Sequence, residues 1–307
     1  MIRFILMRIV QAIATLLVLS AAVFFGAELT GDAAIAMAPG DAKQDEIDAI
    51  REQLGLDRHV VVRYADYVFG IVQGDFGRSY TRRRPAAELI WERLPNTLQL
   101  AGAALLLSVV IGIPLGILSA VKRDSIYDKI GKSFAILGMS APQFWVAIML
   151  ILVFGGWLQV LPTFGKGGLD HYIMPAFAIA IFTMAGFMRL TRSSMLEVLD
   201  SEFVKFARIK GLHERLVVYK HALKNGVIPI LTFGGVSFAG LLNGSIVAEV
   251  IFAWPGIGLV MLESIRERDT MVMEATVLTS GFLYVLMSTT VDTVSYTHLT
   301  LPTNREV

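Results

Sequence analysis

Residues 200–229 read DSEFVKFARIKGLHERLVVYKHALKNGVIP, a charged, helix-patterned island between two apolar runs long enough to cross a bilayer. Asp200 or Ser201 is suited to cap a helix start, and Gly211 to end that helix in a left-handed turn. Phe203, Phe206, Ala207 and Lys210 recur at three- and four-residue spacing, which predicts one face of a short helix. Beyond Gly211 a second stripe, Leu212, Leu216, Tyr219 and Leu223, leads to Asn225-Gly226, which is expected to close it. The island therefore reads as two short amphipathic helices hinged at a glycine at a membrane surface. Either a partner docks on their apolar faces, or the segment is a basic loop that only anchors orientation.

The composition places the island in a membrane protein. Of 307 residues, 55% are hydrophobic and the mean hydropathy is +0.62, above the roughly 45–50% apolar share of soluble domains. A net charge of +1 gives no reason to expect nucleic acid or another bulk polyanion as partner, and the absence of cysteine excludes disulfides and thiolate chemistry.

The island's residues also carry a resemblance. FVKFARIKG (203–211), HALKN (221–225) and Ile228-Pro229 resemble the cytoplasmic coupling loop of ABC importer permeases, most closely the B-type permeases of dipeptide, oligopeptide and nickel uptake. The resemblance implies an ATPase-coupling site at Glu202, Phe203, Phe206, Ala207, Lys210, Gly211, Leu212, His221 and Asn225. In that family the alanine and glycine, here Ala207 and Gly211, fit a short helix into a cleft of the ATP-binding subunit. The implied partners are two cytosolic ATP-binding subunits that hold the ATP and magnesium, a second permease subunit, an extracytoplasmic solute-binding protein and the lipid bilayer.

The chain opens with Arg3 and Arg8 and then an apolar run from Ile9 to about Ala27. The run is longer than a signal-peptide core of about 7–15 residues, which favours a retained first span. Residues 31–95 are polar and read as an extracytoplasmic segment. Within it, 45–54 (DEIDAIREQL) places Ile47, Ile50 and Leu54 at helical spacing, and Tyr64, Tyr67, Val68 and Ile71 suggest another helix. The triple arginine Arg82, Arg83 and Arg84 is placed outside with it, because long loops translocate largely regardless of charge. Gly74-Asp75-Phe76-Gly77-Arg78-Ser79 and Arg93-Leu94-Pro95-Asn96-Thr97-Leu98 match the same family's pattern, in which this segment forms a platform beside the docked receptor.

Further apolar runs are expected to span near 96–120, 134–158, 172–192, 226–250 and 273–292, six spans in all. Small residues such as Gly102, Gly112 and Gly116 suit helix packing in lipid, and Pro114, Pro142 and Pro175 are expected to kink their spans. Basic residues crowd 121–133 and 189–225, whereas 159–171 holds Lys166 alone. The positive-inside rule then puts both termini and the island in the cytoplasm.

Residues 248–258, AEVIFAWPGIG, match the family's E-x-x-F-x-W-P-G-x-G turn at the outer end of the fifth span. Glu249, Trp254, Pro255, Gly256 and Gly258 are the expected outer-mouth motif, with Trp254 at the membrane–water boundary. Glu249 meets either a substrate amine or a basic side chain of the protein. Ser237, Asn243 and Ser245 in the same span line a polar path or hydrogen-bond between helices.

No phosphate-binding GxxxxGK[ST] loop, HExxH or GxSxG motif occurs, so neither ATP hydrolysis by this chain nor a metal or catalytic site is expected. The resemblance weakens after Asp292, where VSYTHLTLPTNREV replaces the family's basic tail; residues 293–307 read as an atypical, foreign or frame-shifted terminus. The expectation is an all-α type I importer permease of six transmembrane helices in a bacterial inner membrane. It moves peptides by alternating access; nickel, glutathione or another solute is the alternative cargo, and a channel or scaffold without an ATPase the alternative class.

Overall fold

A computed structural model describes residues 2–30, 34–35, 38, 41–53 and 55–300. Leu54 and residues 301–307 of the expected tail lie outside them. The chain order is α1 (Ile2–Thr30), α2 (Gln44–Gln53), α3 (Val60–Val72), α4 (Ala86–Val121), α5 (Ile126–Ser140), α6 (Gln143–Trp157), α7 (Asp170–Leu199), α8 (Glu202–Ile209), α9 (Glu214–Ile251), α10 (Ile257–Glu267) and α11 (Thr270–Thr300). Five of these are long and apolar enough to cross a membrane, and α5 with α6 makes a sixth span if the bent pair counts as one.

Several boundaries differ from the sequence expectation. The helix expected from residue 96 starts at Ala86, so Pro95 lies inside α4. The span expected at 134–158 is two helices meeting at 105°. The cause is local: Pro142 has no N–H to continue α5, and it drives Ala141 into an extended conformation (φ −76°, ψ 125°). Pro175, by contrast, is accommodated within α7. The last helix continues past Asp292 to Thr300.

The described chain divides into two compact units. The first comprises Met1–Thr97 and Pro255–Thr289. Here Phe24 of α1 packs on Tyr64 and Tyr67 of α3 at ring separations of 5.4 and 5.3 Å, and Arg63 pairs with Glu28 at 2.8 Å. Two arginines of the triplet are held by carboxylates of the same unit. Arg82 reaches Glu263 at 2.8 Å and Glu267 at 3.5 Å, while Arg84 bonds Glu88 and Glu92. Ser79 donates to Asp269, fastening the loop before α4 to the start of α11.

The second unit comprises Leu98–Trp254 and Thr290–Val307, with α7 at its centre. Gly112 and Gly116 of α4 let that helix approach α7 closely. A carbon added at Gly116 would sit 2.6 Å from both the Met188 carbonyl oxygen and Thr191 Cβ, and one at Gly112 2.6 Å from the Met184 carbonyl oxygen. Where lipid surrounds the bundle, helix association rests on such close packing.

Candidate functional site

The coupling island is built by its own local chemistry. Ser201 is the extended residue before α8 (φ −72°, ψ 152°), although its hydroxyl donates back to the Val198 carbonyl instead of capping the new helix. Gly211 takes φ +75°. Its N–H donates to the Arg208 carbonyl at 2.9 Å, and the Leu212 N–H to the Ala207 carbonyl at 3.4 Å. These two bonds form the left-handed helix stop expected of a glycine at this place. Arg208 reaches across the turn to Glu214 at 2.8 Å, stapling α8 to the start of α9.

Gly211→Val is therefore expected to weaken the island, although nothing lies within 4 Å of the added carbon. The cost is the left-handed backbone, about 1–2 kcal/mol for a residue bearing a Cβ. Tryptic cleavage at Lys210 should accelerate by roughly tenfold, as local opening becomes easier. A cleavage rate equal to wild type would show that the turn is not held in this conformation.

The second stripe does not end at Asn225-Gly226. The helix passes through a π-helical turn, Val217–Ala222, and continues as α9 without a stop. Asn225 is exposed and donates to the His221 carbonyl at 2.7 Å, while buried Gly226 offers its carbonyl to Ser194 of α7 at 2.8 Å. Gly226 is thus a helix-crossing position, which its place in the sequence did not distinguish from a stop.

Packing also divides α8 differently from the sequence reading. Val204 and Ala207 turn inward, onto a core formed with Ile117, Met195, Leu199, Val217 and Ala222. Ala207 is 7% exposed, so it faces the chain's own core and is not part of an open docking surface. The open ridge consists of Phe203, Phe206 and Ile209, with Phe206 at 62% and Ile209 at 79% exposure. Ile209 was missed from sequence because all five apolar residues of α8 compete for two sectors, and only the neighbouring helices decide between them. Leu212, Leu216 and Tyr219 extend the exposed apolar surface. Around it, Lys205 bonds Glu202 at 2.8 Å and Lys210 lies 5.9 Å from the Phe206 ring; the Glu202 carboxylate raises the Lys205 pKa.

In the same unit an ion-pair cluster surrounds the buried Asp128. Arg192 of α7 grips Asp128 of α5 with both Nε (2.7 Å) and Nη2 (2.9 Å). Lys132 reaches the same carboxylate at 2.9 Å, and the Asp124 N–H donates to it at 3.0 Å. The basic loops 121–133 and 189–225 are thereby gathered at one end of the unit, together with the island.

Comparison with known proteins bears on this arrangement. Residues 112–298 match the binding-protein-dependent transport system inner membrane component family, and residues 1–101 its N-terminal membrane component. The chain belongs to that family. A putative peptide transport system permease protein of Brucella abortus is 37% identical over 297 residues, covering 94% of this chain and 95% of the relative. Glutathione transport system permease protein GsiC of Salmonella choleraesuis is 38% identical over 293 residues, covering 95% and 96%. Among solved structures, an inward-facing MetNI methionine ABC transporter chain superposes with a TM-score of 0.58 at 16% identity, covering 68% of this chain and 95% of that one. That likeness concerns the fold. The protein is a multi-span inner-membrane permease, a transport subunit and not an enzyme.

The expected outer-mouth motif straddles the boundary between the two units, and the expected path residues lie in the second. Trp254 is fully buried and packed edge-on against Tyr172 at 4.6 Å, so its ring is covered by protein and does not face lipid. Its N–H donates to the Glu249 carbonyl at 2.8 Å, across a left-handed Ala253 (φ 47°). Glu249 is also buried, and its carboxylate accepts from Ser245 at 3.1 Å. Pro255, Gly256 and Gly258 belong to the first unit. There the Pro255 carbonyl accepts from Asn96 at 2.7 Å and the Ile257 N–H donates to Thr97 at 2.9 Å. Ser237 borders a cavity of the second unit, Ser245 is spent on Leu242 and Glu249, and Asn243 is exposed on another face of α9. These three therefore do not form one polar path.

Proposed function

We propose that this permease is one half of an ATP-driven peptide importer, with both termini and the island 200–226 cytoplasmic and the segment 31–95 on the outer side. Two ATP-binding subunits, a second permease chain and an extracytoplasmic receptor complete it. The observation that carries the reading is the Phe203–Phe206–Ile209 ridge, apolar and left open at the basic end of the bundle. A surface of this kind wastes apolar area unless a partner covers it. ATP closure of the partners then moves the ridge, and through Val204 and Ala207 it moves the α7 and α9 core as well. Such a change must rest on contacts that differ between the two states.

Peptides are the favoured cargo because the compared relatives are named as peptide and glutathione permeases. The test is reconstitution of the permease with its cognate receptor, sister permease and ATP-binding subunits in proteoliposomes, with labelled di- and tripeptides. Uptake that needs both receptor and ATP supports the proposal. Uptake without ATP would transfer it to a channel.

A further inference from the structure

Phe182, Gly186, Arg189 and Ser193 follow one another at four-, three- and four-residue spacing, a single stripe along α7. Phe182, Arg189 and Ser193 are exposed, on a helix otherwise largely enclosed by its own unit. The stripe passes two adjoining openings of the second unit. The first, about 390 Å³, is uncharged, with Gln143, Thr183 and Ser237 as polar groups among apolar walls. The second, about 540 Å³, is bordered by Lys132, Ser140, Arg189, Arg192 and Ser193. Ser140 borders one opening and Ala141 the other, so the two follow each other at the α5–α6 bend.

The three cations of the second opening are not equivalent. Arg192 and Lys132 are committed to Asp128. The Arg189 side chain has no hydrogen bond or ion pair to any described residue. Arg189 lies at the basic end of α7, and an exposed guanidinium that no carboxylate of its own unit neutralises is available to an anionic partner. Its planar donors fit a carboxylate in two-point contact. The hydroxyl of Ser193, one turn on, is a second donor. A neutral upper section followed by one uncommitted guanidinium suits a solute that is uncharged along most of its length and anionic at one end.

We propose that Arg189 selects the carboxylate of the peptide in the transport path. This rests on the peptide-importer reading. A lipid phosphate offers the same guanidinium a similar anion, and the experiment separates the two. Because the chain has no cysteine, Ser193→Cys supplies the permease's only thiol beside Arg189. The assembled transporter, with its other subunits free of reactive cysteines, is placed in neutral phosphatidylcholine and treated with anionic or cationic methanethiosulfonate reagents. The anionic reagent should react about tenfold faster, as one charge-assisted contact implies, and Arg189→Gln should abolish that preference. A di- or tripeptide with a free carboxylate should slow labelling, and its C-terminal amide should not. Equal reagent rates, or no labelling at all, would overturn the proposal. Protection by added phosphatidylglycerol but not by peptide would reassign the anion to lipid. Uptake by wild type on the same complex tells the two readings apart. Anion-selective labelling without peptide uptake would overturn the peptide cargo and leave an anion site, whereas uptake without anion preference would overturn the Arg189 assignment alone.

Discussion

Asp128→Asn should lower the thermal midpoint of the purified permease by roughly 5–10 °C, the equivalent of about 3 kcal/mol. Asp128 is fully buried and receives both ends of the Arg192 guanidinium, the Lys132 ammonium, the Ser119 hydroxyl and the Asp124 N–H. The neutral amide removes the carboxylate charge that both ends of Arg192 grip, and turns an N–H₂ group toward donors. Burying a charge after losing its partner is the costly direction; the intact pair contributes far less. Lys132→Met should shift the midpoint by no more than about 2 °C, since Lys132 is half-exposed and its pairing is weakened by water. Differential scanning fluorimetry in one detergent measures both. A midpoint for Asp128→Asn within one degree of wild type would mean that the cluster does not hold α5 to α7.

Gly116→Leu should prevent recovery of folded permease or cost at least about 3 kcal/mol, the upper range for overpacking. The obstruction is rigid: the Met188 carbonyl oxygen is backbone and Thr191 Cβ is fixed directly to it, and each lies 2.6 Å from the added carbon. Neither can swing aside as a side-chain tip would, so α4 and α7 must separate along their length. Gly102→Leu is the control in the same helix, because nothing lies within 4 Å of its added carbon. Monodisperse yield on size-exclusion chromatography distinguishes them. Equal yields would contradict the close α4–α7 crossing.

The parts of this architecture written in local chemistry were legible in the sequence. Span-length apolar runs, the helix start at Ser201 and the left-handed Gly211 each depend on residues within a few positions of themselves, although the Ser201 hydroxyl does not make the expected cap. Features settled by distant partners were not. Whether Ala207 or Ile209 faces outward depends on the core that α7 and α9 provide, and Gly226 stops nothing because Ser194 crosses there. The Arg82 pairing with Glu263 joins residues that no short-range pattern connects. Pro142 was expected to kink its span, but a bend of 105° is a break between two helices. Trp254, an interfacial residue by type, is buried because Tyr172 packs against it.

Docking of the ATP-binding subunits depends on the open ridge of α8. Its direct test is affinity capture of the tagged permease in mild detergent, with Phe206→Asp/Ile209→Asp beside wild type and the amount of ATP-binding subunit per permease as the readout. Both side chains are exposed, so the double variant should fold and keep its sister permease. Burying two charges in an apolar contact should reduce the bound ATP-binding subunit by a factor of about 100 or more. Retention at the wild-type level would contradict the ridge as the docking surface and send the search for it elsewhere on the basic end.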